Sequence, residues 1–144
     1  MPVRVAALPR DPALYQRVVD IPLTAEERRR VRRRLAAPDG EEVWLELPTG
    51  TILRPGQILA VVEGTAYRVV AAEEDVLLVF PLSPGQGVGI GHLIGNLHRD
   101  VVVEGDVAIV LWDPVLADRL RRLGVRVERA RRPFGGDVPA PHGH

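Results

Sequence analysis

Apolar and polar positions alternate in short runs through residues 1–72, a pattern typical of half-buried β-strands. In the clearest run, apolar residues at 43, 45 and 47 alternate with Glu42, Trp44 and Glu46. The preceding Asp39-Gly40 dipeptide is a strong hairpin signal when strands flank it. We therefore predict a small antiparallel β-domain over residues 1–72, with strands at Val3–Leu8, at Arg17–Ile21, within 28–37, at 42–47, at Ile58–Glu63 and at Tyr67–Ala71, the last two joined by a Gly64-Thr65 turn.

The segment 28–37 has two interpretations. Thr24-Ala25-Glu26-Glu27 has the form of a capping box, and helix propensity allows the helix that begins there to continue through 28–37. A strand would instead place every second residue, Val31 among them, on one face, and the Asp39-Gly40 turn favours this second interpretation. The six arginines of 28–34 then lie on a solvated strand face, with a patch for RNA or an acidic partner as the alternative.

Residues 73–132 show strand-like and helix-like periods in succession. A continuous apolar strand at Asp75–Phe80 precedes a segment from Pro84 in which Ile90, Leu93, Ile94 and Leu97 recur at helical spacing, while its glycines suggest close packing of the helix. A second helix begins at Asp113-Pro114 and ends at Gly124. With strands at Val101–Val103, Asp106–Trp112 and Val125–Glu128, and a Glu104-Gly105 turn, the order is β-α-β-β-α-β. The predicted fold class is therefore α+β, with the antiparallel β-domain followed by a ferredoxin-like domain.

Composition narrows the classes of function. Nineteen basic and nineteen acidic residues cancel, whereas general nucleic-acid binders carry excess positive charge, so no nucleic-acid partner is expected. The absence of cysteine excludes disulfides, thiolate zinc sites, iron–sulfur clusters and cysteine nucleophiles. No apolar run reaches the roughly 18 residues that span a bilayer, and Met1-Pro2-Val3-Arg4 does not resemble the start of a signal peptide. We therefore expect a soluble cytoplasmic protein without a membrane partner.

The four histidines all lie in the second half of the chain, at 92, 98, 142 and 144. In one helix, His92 and His98 would be about 240° apart and would not chelate the same ion. His98, near the helix C-terminus, is either a cap that complements the helix dipole or a metal ligand. His92 is either a structural histidine or a ligand, and His142-Gly143-His144 is either idle or metal-binding. In a twofold dimer, one exposed histidine of each subunit would meet its copy across the axis.

The segment Gly95-Asn96-Leu97-His98 resembles the Gly-Asn-Arg/Lys-His signature of UreE, the urease accessory metallochaperone that carries nickel. Three further stretches resemble the family in the correct order. Residues 45–56 are similar to its leucine-proline-x-glycine-threonine stretch and turn, and 113–125 to its helix and leucine-glycine boundary. Arg132-Pro133-Phe134 is similar to the alanine-proline-phenylalanine before the family's histidine-rich tail. The resemblance covers nearly the whole chain.

The resemblance implies three regions with separate roles. Residues 1–72 would be a β-rich partner-binding domain, and 73–132 a ferredoxin-like domain for metal binding and dimerisation. Residues 133–144, which are rich in Gly and Pro, would be a flexible histidine-containing tail. The implied function is delivery of nickel to apo-urease by a homodimer that works with other urease accessory proteins, and the chain is not expected to be an enzyme.

The resemblance also implies the metal ligands. His98 from two subunits would hold Ni(II), His142 and His144 would assist, and His92 is a candidate minor ligand. Imidazole also suits zinc and copper, so we expect these ions to bind in vitro. Because imidazole binds metal in its neutral form, binding should weaken below about pH 6.

The chain departs from the family pattern in three places. Leu97 replaces the usual basic residue of the signature, and Trp112-Asp113-Pro114 stands where some members carry a His-x-His pair. The tail has two histidines, which suits assistance to one ion rather than storage of many. A non-metal protein- or RNA-binding module and an enzyme are the alternatives. Few aromatic residues in 73–144 disfavour RNA binding, and no catalytic dyad is evident around His92 or His98.

Overall fold

The computed structural model describes residues 2–10 and 14–136. The chain divides into two compact units, Met1–Ala72 and Glu73–His144. Within the described ranges, the first unit is built from strands and one 3-10 turn, and the second combines strands with two helices, which confirms the predicted α+β class. The elements are β1 (Val3–Val5), β2 (Arg17–Leu23), the 3-10 turn (Glu27–Arg29), β3 (Arg32–Ala36), β4 (Glu42–Glu46), β5 (Ile58–Val62), β6 (Thr65–Ala71), β7 (Glu73–Phe80), α1 (Pro84–Asn96), β8 (Val102–Glu104), β9 (Val107–Leu111), α2 (Pro114–Arg122) and β10 (Arg126–Pro133).

The N-terminal unit contains two three-stranded sheets, in the orders β1-β4-β3 and β2-β6-β5. The hairpins β3-β4 and β5-β6 are antiparallel, as predicted. The prediction of a wholly antiparallel domain needs correction, because β1 pairs with β4 and β2 pairs with β6 in parallel. Parallel partners are distant along the chain, so no turn sequence between them marks the pairing. Both sheets contribute to one apolar core, with Val5, Ile21, Leu35, Val43, Leu45, Leu59 and Val69 among its members.

The segment that had two interpretations forms a short 3-10 turn followed by strand β3. The capping box is present: the backbone N–H of Thr24 donates to Glu27 Oε1 at 3.0 Å, and the Glu27 N–H donates to Thr24 Oγ1 at 3.1 Å. The prediction that all six arginines of 28–34 lie on a solvated strand face needs correction, because Arg28 is fully buried. Its guanidinium donates to the carbonyl oxygen of Leu23 at 2.8 Å, so this arginine is part of the folded interior.

The C-terminal unit has the predicted β-α-β-β-α-β order, and its sheet runs β10-β7-β9-β8 with antiparallel neighbours. The strands β7 and β8 are therefore parallel with β9 between them, which is the split βαβ arrangement. No helix within the described ranges is long and apolar enough to cross a bilayer. Both helices contribute to a core with the sheet, formed by Leu77, Val79, Ile90, Ile94, Val110, Leu116, Ala117, Leu120 and Val125.

Several sequence-predicted boundaries move in the structure: β1 ends at Val5 rather than Leu8, β7 begins at Glu73 rather than Asp75, and two turns and the last strand also shift. The pair Val62–Thr65 closes a two-residue turn at Glu63-Gly64, so the predicted Gly64-Thr65 turn is displaced by one residue. Both turn residues have positive φ, as a type I′ turn requires. The predicted Glu104-Gly105 turn is likewise displaced, to 105–106. The last strand is longer than predicted because it pairs with β7 as far as Pro133. Phe134, which the sequence assigns to the tail, is buried.

Candidate metal site

Helix α1 carries the signature segment at its C-terminal end. The helix begins after Ser83, whose hydroxyl accepts a hydrogen bond from the Gln86 N–H at 3.1 Å, with Pro84 in the first helical turn. Proline there is favoured because its missing N–H would have no helical partner. Ile90 and Ile94 are buried and hold the helix against the sheet. This packing directs the last turn, and with it His98, to a fixed place at one end of the unit.

The helix ends in a Schellman motif in which His98 adopts a left-handed backbone conformation. The His98 N–H donates to the Gly95 carbonyl at 3.0 Å, and the Arg99 N–H donates to the Ile94 carbonyl at 3.2 Å. These are the two hydrogen bonds that define the motif. The residue between them must have positive φ, and His98 has φ 55°. The sequence places His98 near the helix C-terminus correctly, although it lies beyond the helix rather than on its surface.

The second helix of the same unit provides an internal comparison. Helix α2 ends in the same motif, with the Gly124 N–H bonded to Arg121 and the Val125 N–H bonded to Leu120, both at 3.0 Å. Gly124 has φ 78° and occupies the position that His98 occupies after α1. Glycine takes this conformation without steric cost, whereas a residue with a Cβ is strained there by about 1 kcal/mol or more. The histidine is therefore at a position where local backbone energetics favour glycine.

The residue after His98 is tied to the start of α2. The Arg99 guanidinium donates to Asp113 Oδ2 at 2.9 Å. The other carboxylate oxygen, Oδ1, accepts from the N–H groups of Val115 at 2.9 Å and Leu116 at 3.3 Å, as an N-cap does. One carboxylate thus joins the loop that carries His98 to the helix that follows. The sequence identified Asp113 as a helix start but gave no sign of this second contact.

His92 and Asn96 form a separate polar pair on the exposed surface of α1. Asn96 Nδ2 lies 3.2 Å from His92 Nε2, one helical turn away. The contact agrees with the structural interpretation of His92, since its Nε2 then faces an amide of the signature segment. His98 is also exposed, and the described residues do not place His92 and His98 in a group of three or more side chains that could hold an ion.

The end of the described chain returns to the loop after His98. A Cβ built on Gly136 would lie 2.5 Å from Phe134 Cζ and 2.8 Å from Asp100 Oδ2, so only glycine fits there without movement. Asp100 is two residues beyond His98, and the chain therefore leaves the described region beside the signature loop. The two remaining predicted ligands, His142 and His144, lie outside the described residues.

A closed metal site is absent from the described part of a single chain, where no three His, Cys, Asp or Glu side chains are grouped to hold an ion. An exposed imidazole at a helix C-terminus can supply one ligand, and the negative end of the helix dipole favours a cation there. A complete coordination shell therefore requires ligands from another source, such as a second copy or the segment beyond Gly136.

Helix α1 also has an open glycine-rich surface beside an apolar groove. Five of its thirteen residues are glycine. A Cβ added at Gly89, Gly91 or Gly95 would meet no atom within 4 Å, so packing within the described chain does not require these glycines. The groove, of about 580 Å³, is lined by residues that include Leu82, Gly87, Ile90, Val101 and Val103. Leu82 and Val103 of this lining are large apolar side chains that remain exposed, and so is Val88 of α1.

The N-terminal unit contains a small polar pocket that the sequence did not indicate. It has a volume of about 350 Å³ and is lined in part by Arg17, Asp39 and Tyr67. The Tyr67 hydroxyl donates to Asp39 Oδ2 at 2.8 Å, and burial together with this contact raises the pKa of Tyr67 to about 12. Tyr67 is therefore a neutral hydrogen-bond donor at physiological pH, with a role in fixing the hairpin turn rather than in proton transfer.

Comparison with known proteins identifies the family of the whole chain. A family model described as "UreE urease accessory protein, N-terminal domain" matches residues 4–72, and one described as "UreE urease accessory protein, C-terminal domain" matches 74–144. A urease accessory protein UreE of Synechococcus sp. (strain JA-3-3Ab) is 54% identical over 88% of this chain and 85% of its own length. The UreE of Deinococcus radiodurans is 48% identical over 82% and 76%, and that of Cupriavidus necator is 38% identical over 92% and 72%. The chain therefore belongs to the UreE family of urease accessory proteins.

Proposed function

We propose that this chain is a nickel carrier in urease maturation, in which His98 from each of two subunits binds the ion. The relatives are named as urease accessory proteins, which supports a role in the assembly of urease. The finer proposal is that the homodimer transfers Ni(II) to apo-urease together with other accessory proteins. Zinc and copper are expected to bind the same ligands in vitro, because imidazole accepts all three ions.

The left-handed conformation of His98 is the observation that carries this proposal. Non-glycine residues in this conformation are uncommon, histidine less so than most, and strained positions of this kind cluster at functional sites. Glu63 is the other non-glycine residue with positive φ in the described ranges, and there the conformation belongs to a two-residue hairpin turn. The matched position after α2 is Gly124, so the fold itself does not call for a histidine there. An exposed imidazole at the negative end of a helix is a suitable first ligand for a divalent cation.

A second copy of the chain is the proposed source of the next ligand. Each helical glycine costs about 0.8–1.0 kcal/mol relative to alanine, and the open space at Gly89 and Gly91 leaves this cost without an explanation among residues 2–10 and 14–136. Glycines of this kind allow close approach of another backbone. The apolar groove and the exposed Val88 next to them provide surface that a second copy would cover. A twofold contact near the end of α1 would bring the two His98 side chains together.

The segment beyond Gly136 is the proposed source of assisting ligands. His142 is six residues beyond Gly136, and six residues span at most about 20 Å. Because Gly136 lies against Asp100, His142 and His144 start from a point close to the His98 loop. A site with few fixed ligands and a tethered pair suits a carrier, which must release its ion.

Nickel titration by calorimetry at pH 7.5, with light scattering to determine the oligomeric state, tests the proposal. We expect about one tightly bound ion per dimer, lost in His98→Asn. Asparagine is the matched replacement because it tolerates the left-handed conformation but lacks an imidazole. His92→Gln serves as the control and should retain the tight site. Unchanged nickel affinity in His98→Asn would refute the assignment of the ligand.

Transfer of the ion requires a separate assay. Apo-urease incubated with nickel-loaded wild-type protein and the other accessory proteins should gain urease activity. The His98→Asn variant, loaded under the same conditions, should give activation no greater than free nickel at the same concentration. Equal activation by both proteins would show that carriage through His98 is not part of maturation.

A further inference from the structure

The outward face of the β1-β4-β3 sheet carries one row of three residues, Arg4, Trp44 and Arg34, termed here the Trp44 clamp. The strand register places Arg4 and Arg34 opposite Trp44 on its two sides. Their Cζ atoms lie 4.9 Å and 4.0 Å from the indole ring, within the range of a cation–π interaction. Because β1 and β3 flank β4 on opposite sides, the two arginines reach the ring from different neighbouring strands.

A hydrogen bond holds the Trp44 ring in place, but the two arginines of the clamp form no ion pair with a carboxylate of the described residues. The indole Nε1–H donates to Glu42 Oε1 at 2.6 Å, which fixes the ring. In the described ranges, neither Arg4 nor Arg34 has an ion pair. A guanidinium stacked on a ring keeps its edge N–H groups available, and these match the two oxygens of a carboxylate. The clamp therefore presents two positioned donors to the solvent.

The C-terminal unit shows the same stacked arrangement with its carboxylates in place. Arg126 stacks on Phe80 at 4.4 Å and pairs with Glu128 at 2.8 Å. Arg129 stacks on Trp112 at 4.3 Å and pairs with Asp75 at 3.0 Å. Both stacked arginines of that unit thus bind an acidic side chain of the same chain. The two arginines of the clamp share one ring and form no such ion pair in the described ranges, which points to a carboxylate supplied by another molecule.

We propose that the Trp44 clamp binds the carboxylates of an acidic segment on a protein partner. The neighbouring rows of this face pair Arg32 with Glu46, which is formally neutral, and Ala36 with Glu42, which carries one negative charge, so the two arginines of the clamp give the face its net positive charge. The inference deepens the proposed function and rests on it for the purpose of the contact, because a carrier must dock on the proteins that receive its ion. The N-terminal unit would then select the partner by charge.

A nucleic-acid strand is a poorer fit to the same residues. Proteins that bind single strands offer an open aromatic face on which bases stack. Two guanidinium groups already lie 4.9 Å and 4.0 Å from the Trp44 ring, so a stacking base would compete with them for it. The chain as a whole has no excess of positive charge, which also disfavours binding to a phosphate backbone.

Fluorescence of Trp44 gives a direct test, with a ten-residue glutamate peptide as the probe. Trp112→Phe leaves Trp44 as the sole tryptophan, and the titration is run in this background of the full chain at low and high salt. We expect saturable binding at low salt that high salt weakens, since exposed ion pairs are screened. Arg4→Gln with Arg34→Gln should weaken binding about 5- to 20-fold, as expected for two exposed pairs with good geometry. Glu42→Gln should tighten it, because a repelling charge is removed.

Arg126→Gln is the matched control, since it removes an equally stacked and exposed arginine from the other unit and should not change peptide binding. Thermal unfolding curves confirm that the variants are folded. Absence of peptide binding at low salt, equal binding by the double variant, or tighter binding of a ten-residue uridylate than of the peptide would each overturn the inference. Nickel titration separates the two proposals. If the clamp serves only for docking, the double variant should bind nickel as tightly as the wild-type protein. A wild-type protein that binds the peptide but not nickel would contradict the metal site and leave the clamp in place.

Discussion

Replacing His98 by glycine and by alanine separates the backbone cost of this position from its role as a ligand. Both replacements remove the imidazole and its contacts, so the difference in unfolding free energy between the two variants reports the strain of the left-handed backbone. Alanine is strained at φ 55° by about 1–2 kcal/mol, and glycine is not. Glycine also has more freedom in the unfolded chain, which offsets about 0.4–1 kcal/mol of this advantage. The strain less this offset lies between about 0 and 1.6 kcal/mol, so we expect His98→Gly to exceed His98→Ala in unfolding free energy by about 0.8 kcal/mol.

Urea unfolding followed by circular dichroism measures this difference, and two further positions calibrate it. Gly124→Ala, at the matched position after α2, should destabilise by a similar amount, because Gly124 also has positive φ. Gly89→Ala, inside α1, should have the opposite sign, because alanine is the better residue in a helix interior. Equal stability of His98→Gly and His98→Ala within about 0.3 kcal/mol would refute the assignment of strain at His98. Both variants should lose tight nickel binding whatever their stability.

Three further predictions concern the dimer, the loop that carries the proposed ligand, and the acid stability of the N-terminal unit. Gly91→Ala should raise the stability of the subunit but weaken self-association in sedimentation experiments; unchanged association would contradict close approach at α1. Asp113→Ala should destabilise by about 1–2 kcal/mol through loss of the N-cap and of the Arg99 ion pair, whereas Asp113→Asn should cost less because the cap is kept. The backbone hydrogen bond from Thr24, with smaller effects of its hydroxyl and of Arg33, lowers the pKa of Glu27 below its usual 4.5. Its stabilising effect is therefore present above pH 4.5 and lost as the pH falls through the lowered value. The advantage of wild type over Glu27→Gln in urea should shrink from pH 6 to pH 3, and a constant difference would contradict this.

Local patterns were sufficient to predict the C-terminal unit. The helical spacing of Ile90 and Ile94, which are core residues, indicated α1, and the proline after Asp113 marked the start of α2. The split βαβ order then follows from the succession of elements. In the N-terminal unit the hairpins were predictable because a turn sequence joins their strands. The parallel pairs of β1 with β4 and β2 with β6 were not, since long-range pairing leaves no local signal.

The motif located the candidate site in the sequence, but the geometry of the site could not be predicted from it. Positive φ is uncommon for residues other than glycine, although histidine adopts it more often than most, and the sequence around His98 did not mark it as the equivalent of the glycine that ends α2. The contacts of Asp113 with Arg99 and of Asn96 with His92 depend on where side chains point after folding. The Trp44 clamp depends on the register of three strands, one of which joins in parallel, and this register is a property of the folded sheet.

The return of the chain to Asp100 at Gly136 has a consequence for the kinetics of metal exchange. In the proposed site, the six to eight residues that link Gly136 to His142 and His144 would give these histidines a millimolar effective concentration beside the His98 loop, whatever the concentration of the protein in solution. Each imidazole can then detach and rebind without loss of the ion, as long as another ligand remains attached. An incoming protein can replace the ligands one at a time in such a site. Handover would proceed by stepwise substitution, and the hydrated ion would not be released at any stage.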